Sequence, residues 1–205
     1  MKALIILLLL VLTVFACDVK NAMNKTKSYN DLNESGVKSG GIKMIPIHDG
    51  KYKVWTKRVG NNPKIKVLLL HGGPASTHEY FESFDSFFPP EGIEYYYYDQ
   101  LGSYYSDQPA DSSLWTIARF VEEVEEVRKA LQLDSSNFYL LGTSWGGMLA
   151  MEYAFKYQHN LKGLLICNMM SSCPEYGKYT NEVLAKQLDS KVLEEIRGLE
   201  EKKDF

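Results

Sequence analysis

A chain of 205 residues is long enough for one domain with a proper core and too short for two ordinary ones. With 45% hydrophobic and 24% charged residues it has the composition of a globular protein. A formal net charge of −3, with no basic stripe anywhere, offers no footing for nucleic acid.

The chain opens on MKALIILLLLVLTVFAC: one lysine, an apolar run from Ala3 to Phe15 broken only by Thr13, then Ala16 and Cys17. A membrane span needs about 20 apolar residues. This run is shorter and has the length and flanks of a signal-peptide core. The stretch Val14-Phe15-Ala16-Cys17 resembles the lipobox of bacterial lipoproteins, where the cysteine is lipidated and becomes the new N-terminus. That resemblance implies a signal peptide over residues 1–17, lipidation at Cys17, and a lipid anchor holding the protein to a membrane of the bacterial cell envelope. Plain secretion, to the periplasm or beyond, is the alternative. Residues 18–41 are polar and lack hydrophobic periodicity, so they read as a flexible tether.

The folded part begins with IKMIPI (42–47) and YKVWTK (52–57), separated by the turn signal HDGK, which predicts a β-hairpin. KIKVLLLHGG follows, an apolar run ending in two glycines, as expected of a central parallel strand. THEYFESFDSFF predicts a helix stopped by PPEG, and IEYYYYDQ (93–100) the next strand. Its consecutive tyrosines can pack on both faces if their hydroxyls find partners. LWTIARFVEEVEEVRKALQL (114–133) predicts the clearest helix. Ile117, Phe120, Val121, Val124, Val127 and Leu131 fall on one face, with Glu122, Glu123, Glu125 and Glu126 mostly toward solvent. NFYLLGT, WGGMLAMEYAFKY and LKGLLICNM then read as strand, helix and strand. Alternating strands and helices after a hairpin predict an α/β fold with a mainly parallel sheet over residues 42–170. Residues 171–205 are charged, helical in pattern and without a strand. Besides Cys17 the chain has Cys167 and Cys173, which form neither a disulfide framework nor a metal site. One buried thiol and one near the surface are expected.

The sequence GTSWG, residues 142–146, fits G-x-S-x-G between an apolar strand and a helix rich in small residues. This is the setting of a nucleophile elbow, a tight turn that lifts a serine hydroxyl above the sheet. Gly142 and Gly146 allow the close backbone packing such a turn needs, and Gly147 lets the helix lie against the strand. The bland alternative is that Ser144 caps the helix N-terminus with its side chain. A serine nucleophile also needs donors for a developing oxyanion. The expected pair is the N–H of Trp145, directly after the serine, and that of Gly73 in the loop HGGPA (71–75). His71, at the strand end, reads as a structural hydrogen-bonding residue.

The three segments LLLHGGPA, YYDQLGSYYSDQP and LLGTSWGGMLAMEYA, in this order and spacing, resemble the prolyl aminopeptidase (proline iminopeptidase) branch of the α/β-hydrolases, with the related tricorn-interacting aminopeptidases. The resemblance covers about residues 42–205, and SSCPEYGKYTNEVLAKQL is similar to the beginning of the family's helical cap. Ala75 departs from it, standing where the family's HGGPG motif has its last glycine. The resemblance implies an α/β-hydrolase fold and a serine hydrolase that releases N-terminal residues, proline among them, from peptides. No metal or organic cofactor is implied by the sequence, since no His, Cys or carboxylate cluster has ligand spacing. A small ester, amide or lactone substrate is the sibling alternative.

Hydrolases of this fold run Ser, then Asp or Glu, then His in chain order. Of the four histidines, His48, His71, His78 and His159, only the last follows Ser144. It comes fifteen residues later, at the far end of the adjoining helix. The later acids Asp189 and Asp204 have no strand before them. The acid and base of a triad are thus not recognisable, and the chain alone is expected to be inactive. Two readings follow: the N-terminal portion of a hydrolase of about 300 residues, as domain sizes of this class allow, or a non-catalytic or degenerate lipoprotein fragment.

Overall fold

The computed structural model describes residues 41–202. The expected signal peptide, Cys17 and the tether up to Gly40 lie outside the described residues. The chain divides into two compact units between Met169 and Met170.

The first unit is built on a six-stranded sheet. The strands are β1 (Ile42–Ile47), β2 (Tyr52–Val59), β3 (Lys66–Leu70), β4 (Glu94–Asp99), β5 (Phe138–Thr143) and β6 (Gly163–Cys167), in the spatial order β1-β2-β4-β3-β5-β6. β1, β2 and β4 are antiparallel neighbours, whereas β4, β3, β5 and β6 run parallel. The predicted hairpin forms with Ile42 opposite Lys57 and Ile47 opposite Tyr52. β3 is flanked on both sides, and Leu68, Leu69 and Leu70 are fully buried. That is why its sequence lacks the alternation of a half-exposed strand.

Two helices pack on one face of the sheet, α1 (Ile117–Ala130) and α2 (Trp145–Tyr157). Thr116 caps α1, its side chain accepting from Arg119 N. The opposite face carries a nine-residue 3₁₀ segment, His78–Ser86, where an α-helix was expected. His78 and Phe81 are buried and Phe84 partly so, a three-residue repeat that suits three residues per turn better than 3.6.

β4 shows how the tyrosine run is accommodated. Tyr96 and Tyr98 point into the core under α1 and α2, while Tyr95 and Tyr97 join the cluster under the 3₁₀ segment. Their hydroxyls all have partners: Tyr95 and Tyr97 donate to Asp85, Tyr96 to Glu94, and Tyr98 to Glu123. The last pair corrects the expectation for α1. Glu123 and Glu125 are buried, and only Glu122 and Glu126 of the four glutamates are half-exposed. Glu123 accepts from Tyr98, Leu101 N and Arg119, and Glu125 from Arg128 and Tyr153. These partners supply the bonds without which a buried carboxylate would be prohibitive. Burial raises the Glu123 carboxyl above its usual range despite Arg119 and Tyr98. At Glu125 burial acts the same way, but the bonds from Arg128 and Tyr153 outweigh it and hold the carboxyl low.

β6 forms one edge of the sheet, with Leu164, Leu165 and Ile166 each about 40% exposed. Cys167 on this strand and Cys173 are both free and exposed, so neither is the expected buried thiol. The strand has no further neighbour among the described residues, and burial fails with it.

The second unit holds α3 (Cys173–Tyr179), a π-helical turn (Thr180–Leu184), a 3₁₀ turn (Ala185–Gln187) and α4 (Ser190–Lys202). Ser172 caps α3 by accepting from Glu175 N. Among the described residues no helix is long and apolar enough to cross a membrane.

Candidate active site

β5 ends at Thr143 and α2 starts at Trp145, so the whole reversal falls on Ser144. Its backbone sits at φ 53°, ψ −122°, outside the regions open to most non-glycine residues. Such a conformation costs about 1–3 kcal/mol and persists only where its surroundings impose it. Those surroundings are visible: Ser144 N donates to Cys167 O at 3.1 Å, and Ser144 O accepts from Gly147 N at 2.9 Å and Met148 N at 3.2 Å. The side chain makes no capping bond and the residue is exposed. That disposes of the plain helix-cap alternative.

The flanking glycines explain the tightness. A Cβ on Gly142 would lie 2.0 Å from Gly146 O, and one on Gly146 would lie 2.0 Å from Leu70 O and 2.6 Å from His71 O. No side chain fits at either place, because the blocking atoms are backbone. Gly147 is less constrained, its missing Cβ being 3.0 Å from the Met169 side chain.

The loop after β3 crosses directly beside the elbow. A Cβ on Gly72 would come 3.1 Å from Ser144 Cβ and 3.6 Å from its Oγ. Gly72 N–H is already committed, donating to Tyr80 Oη at 2.7 Å. Tyr80, whose hydroxyl pKa burial pushes up to about 12, thus stays a neutral phenol and fixes the loop. Gly73 follows at φ 114°, and Ala75 at φ 66°. Ala75 occupies the left-handed region that a glycine enters freely, so the departure from HGGPG leaves local strain in the loop.

His71 is fully buried, and both ring nitrogens are occupied. Gln100 N donates to its Nε2 at 3.0 Å, which makes Nδ1 the protonated nitrogen, 2.9 Å from Gly72 O. Burial lowers its basicity, which the Gly72 bond offsets only in part, so the ring is held neutral. A histidine engaged on both sides has no free nitrogen for the Ser144 hydroxyl. His159 sits in a 3₁₀ turn, Gln158–Asn160, beyond a 13-residue α2 about 20 Å long. His78 is also buried, its ring 2.8 Å from Asp99 and stacked on Trp55.

Gln100, quoted within a motif but given no role from sequence, is the residue that sequence reasoning missed. Its Nε2 donates to His71 O at 3.0 Å and its Oε1 accepts from Trp145 Nε1 at 3.0 Å. One side chain therefore ties the glycine loop, the end of β4 and the elbow together. Its place at the C-terminal end of a strand next to β3 was the available signal, since ligands of open α/β sheets gather at those ends.

A family model described as alpha/beta hydrolase fold matches residues 66–192. The chain belongs to that family. Among its relatives, a proline iminopeptidase of Flavobacterium johnsoniae is 71% identical over 164 residues, covering 79% of this chain and 55% of the relative. One of Elizabethkingia meningoseptica is 67% identical over the same shares. The chain thus spans about 55% of the length of the curated relatives it matches. Among solved structures, the proline iminopeptidase of Mycobacterium smegmatis aligns with a TM-score of 0.70 at 27% identity, covering 80% of this chain and 55% of that one. VinJ aligns at 0.74 and 29%, covering 81% and 56%. The α/β-hydrolase fold expected from sequence is therefore the fold of this chain, in part: a mixed sheet of six strands with flanking helices.

Proposed function

We propose that this chain carries the nucleophile half of a serine hydrolase of the proline iminopeptidase type, acting on the N-terminal residue of peptides. The observation that carries the reading is Ser144 itself: an exposed hydroxyl on a strained turn, free of any capping bond, beside a glycine loop. In this reading Ser144 Oγ attacks the carbonyl carbon of the first peptide bond. The N–H groups of Gly73 and Trp145 donate to the oxyanion that forms, an interaction typically worth about 3–4 kcal/mol per donor at the transition state. Trp145 N–H suits this because it opens α2, where the first four amides lack helical partners. The proton leaving Oγ passes to a histidine oriented by a carboxylate, which returns it to the departing amine, and water then releases the acyl group.

In this reading that Asp and His pair is not found among the described residues and is supplied by the part of the protein that this chain does not span. The identity to proline iminopeptidases supports the peptidase label over ester, amide or lactone hydrolysis. Both occupied nitrogens of His71 and the remoteness of His159 support an inactive isolated chain, which keeps alive the second reading of a non-catalytic fragment. The second unit, in this view, begins the helical cap, and Cys17 anchors the protein to the envelope.

The test is to treat the chain with a fluorophosphonate and, separately, with proline anilide. Slow modification confined to Ser144 and no turnover is the expected result. Normal turnover, or modification spread over other serines with Ser144 spared, overturns it.

A further inference from the structure

A cavity of about 450 Å³ opens at the end of the sheet opposite Ser144. There β1 and β4 begin, β2 ends and α1 stops, whereas Ser144 follows the last residue of β5, which runs parallel to β4. Among the described residues two cations border the cavity, Lys43 and Arg58, and no carboxylate does. The nearest acid, Glu94, is fully buried, 2.8 Å from Arg58 Nη2 and 3.6 Å from Lys66 Nζ. One carboxylate thus faces three cations, and Lys43 has no acidic partner among the described residues. Its Nζ donates instead to Ala130 O at 2.7 Å, on the last residue of α1. The Arg58 guanidinium is only partly used: Nη2 donates to Glu94 and Asn61, while the buried Nε has no partner. A buried donor without an acceptor is uncommon and costly. Ile42, Leu131 and Tyr96 add apolar wall beside these donors.

We propose that this cavity binds a small monocarboxylate with a short apolar body. Its carboxylate accepts from Lys43 and Arg58, and its body lies against Ile42, Leu131 and Tyr96. Two cations with a single shared counter-charge favour an anion, and hydrogen bonds from ionised donors to a carboxylate are among the strong ones. The end of α1 decides which anion. A helix C-terminus carries partial negative charge, so a multiply charged oxyanion such as phosphate is held less well there than one carboxylate. The apolar wall then favours an acid with a carbon chain over acetate. None of this rests on Ser144 being a nucleophile, because the site is built from other residues at the other end of the sheet.

The experiment reads binding by NMR at constant ionic strength, following the Arg58 Nε–H signal and, at the elbow, the Trp145 indole N–H. The chain is titrated with 4-methylpentanoate, with its neutral amide 4-methylpentanamide, with acetate and with inorganic phosphate. 4-Methylpentanoate is expected to shift Arg58 saturably, leave Trp145 in place, and bind on the order of tenfold more tightly than the amide. Acetate and phosphate should both bind more weakly than it does. Lys43→Gln, at an exposed position, removes one charge and should weaken binding at least about fivefold. Arg58→Lys keeps a cation against Glu94 but drops the Nε donor, and should weaken it as well. Ser144→Ala should bind as the wild type does. Equal binding of the amide, phosphate binding as tightly as the carboxylate, or a shift of Trp145 in place of Arg58 each overturns the proposal. Unchanged affinity in a folded Lys43→Gln does so too.

Discussion

Replacing Gly146 by alanine tests whether the elbow is as tight as described. The new Cβ would lie 2.0 Å from Leu70 O and 2.6 Å from Leu70 C and His71 O. Relief to about 3 Å demands that α2 move by about 1 Å away from the central strand, or that β3 distort. Overpacking against side chains costs about 1–3 kcal/mol. Here the obstruction is backbone of a strand paired on both sides, so a loss of about 3 kcal/mol or more is expected, against a total stability of about 5–15 kcal/mol for such a domain. Gly147→Ala is the control one residue away. It meets only the Met169 and Ile166 side chains at 3.0–3.3 Å, and the helix propensity gained, about 0.5–1 kcal/mol, offsets much of that crowding. Urea unfolding followed by tryptophan fluorescence reads both. With a slope of about 1–3 kcal/mol per molar, the Gly146→Ala midpoint should fall by at least about 1 M and that of Gly147→Ala by far less. Equal midpoints for the two variants refute the packing argument.

Two further variants probe the surroundings. Ala75→Gly should stabilise the first unit by about 0.5–1 kcal/mol, the left-handed strain of about 1–2 kcal/mol exceeding the extra unfolded-state entropy of glycine; a lower urea midpoint contradicts this. Glu125, held below the usual carboxylate range in the folded chain, contributes stability that is present above its unfolded pKa and lost as pH falls through the lowered folded one. Glu125→Gln should cost about 2 kcal/mol at neutral pH and give a flatter acid limb in a series of unfolding curves. An unchanged limb counts against the pairing.

Much of the scaffold could be read in advance because burial on both faces leaves a plain mark. KVLLL and FYLLGT carry no polar alternation, and both became central parallel strands. The elbow was legible for the same kind of reason, since glycines at 142 and 146 are unusual unless backbone must touch backbone. What escaped were features whose cause lies far off in the chain. Glu123 and Glu125 look like solvated charges on a helix face until Tyr98, 25 residues earlier, and Tyr153, 28 later, are brought beside them. Gln100 likewise gains its role only once β4 lies next to β3. The 3₁₀ segment was misjudged because apolar positions three apart also occur on α-helices. The expected buried thiol is missing because β6, which carries Cys167, has no further neighbour among the described residues to cover it.

The most direct test of the account joins this chain to the stretch it does not span in a 71%-identical relative, the proline iminopeptidase of Flavobacterium johnsoniae. In such a chimaera the acid and base come from the relative and the serine from this chain. Hydrolysis of proline anilide should appear, and Ser144→Ala should reduce it by at least about a thousandfold. A folded chimaera that stays inert, or one that works equally well without the Ser144 hydroxyl, contradicts the account.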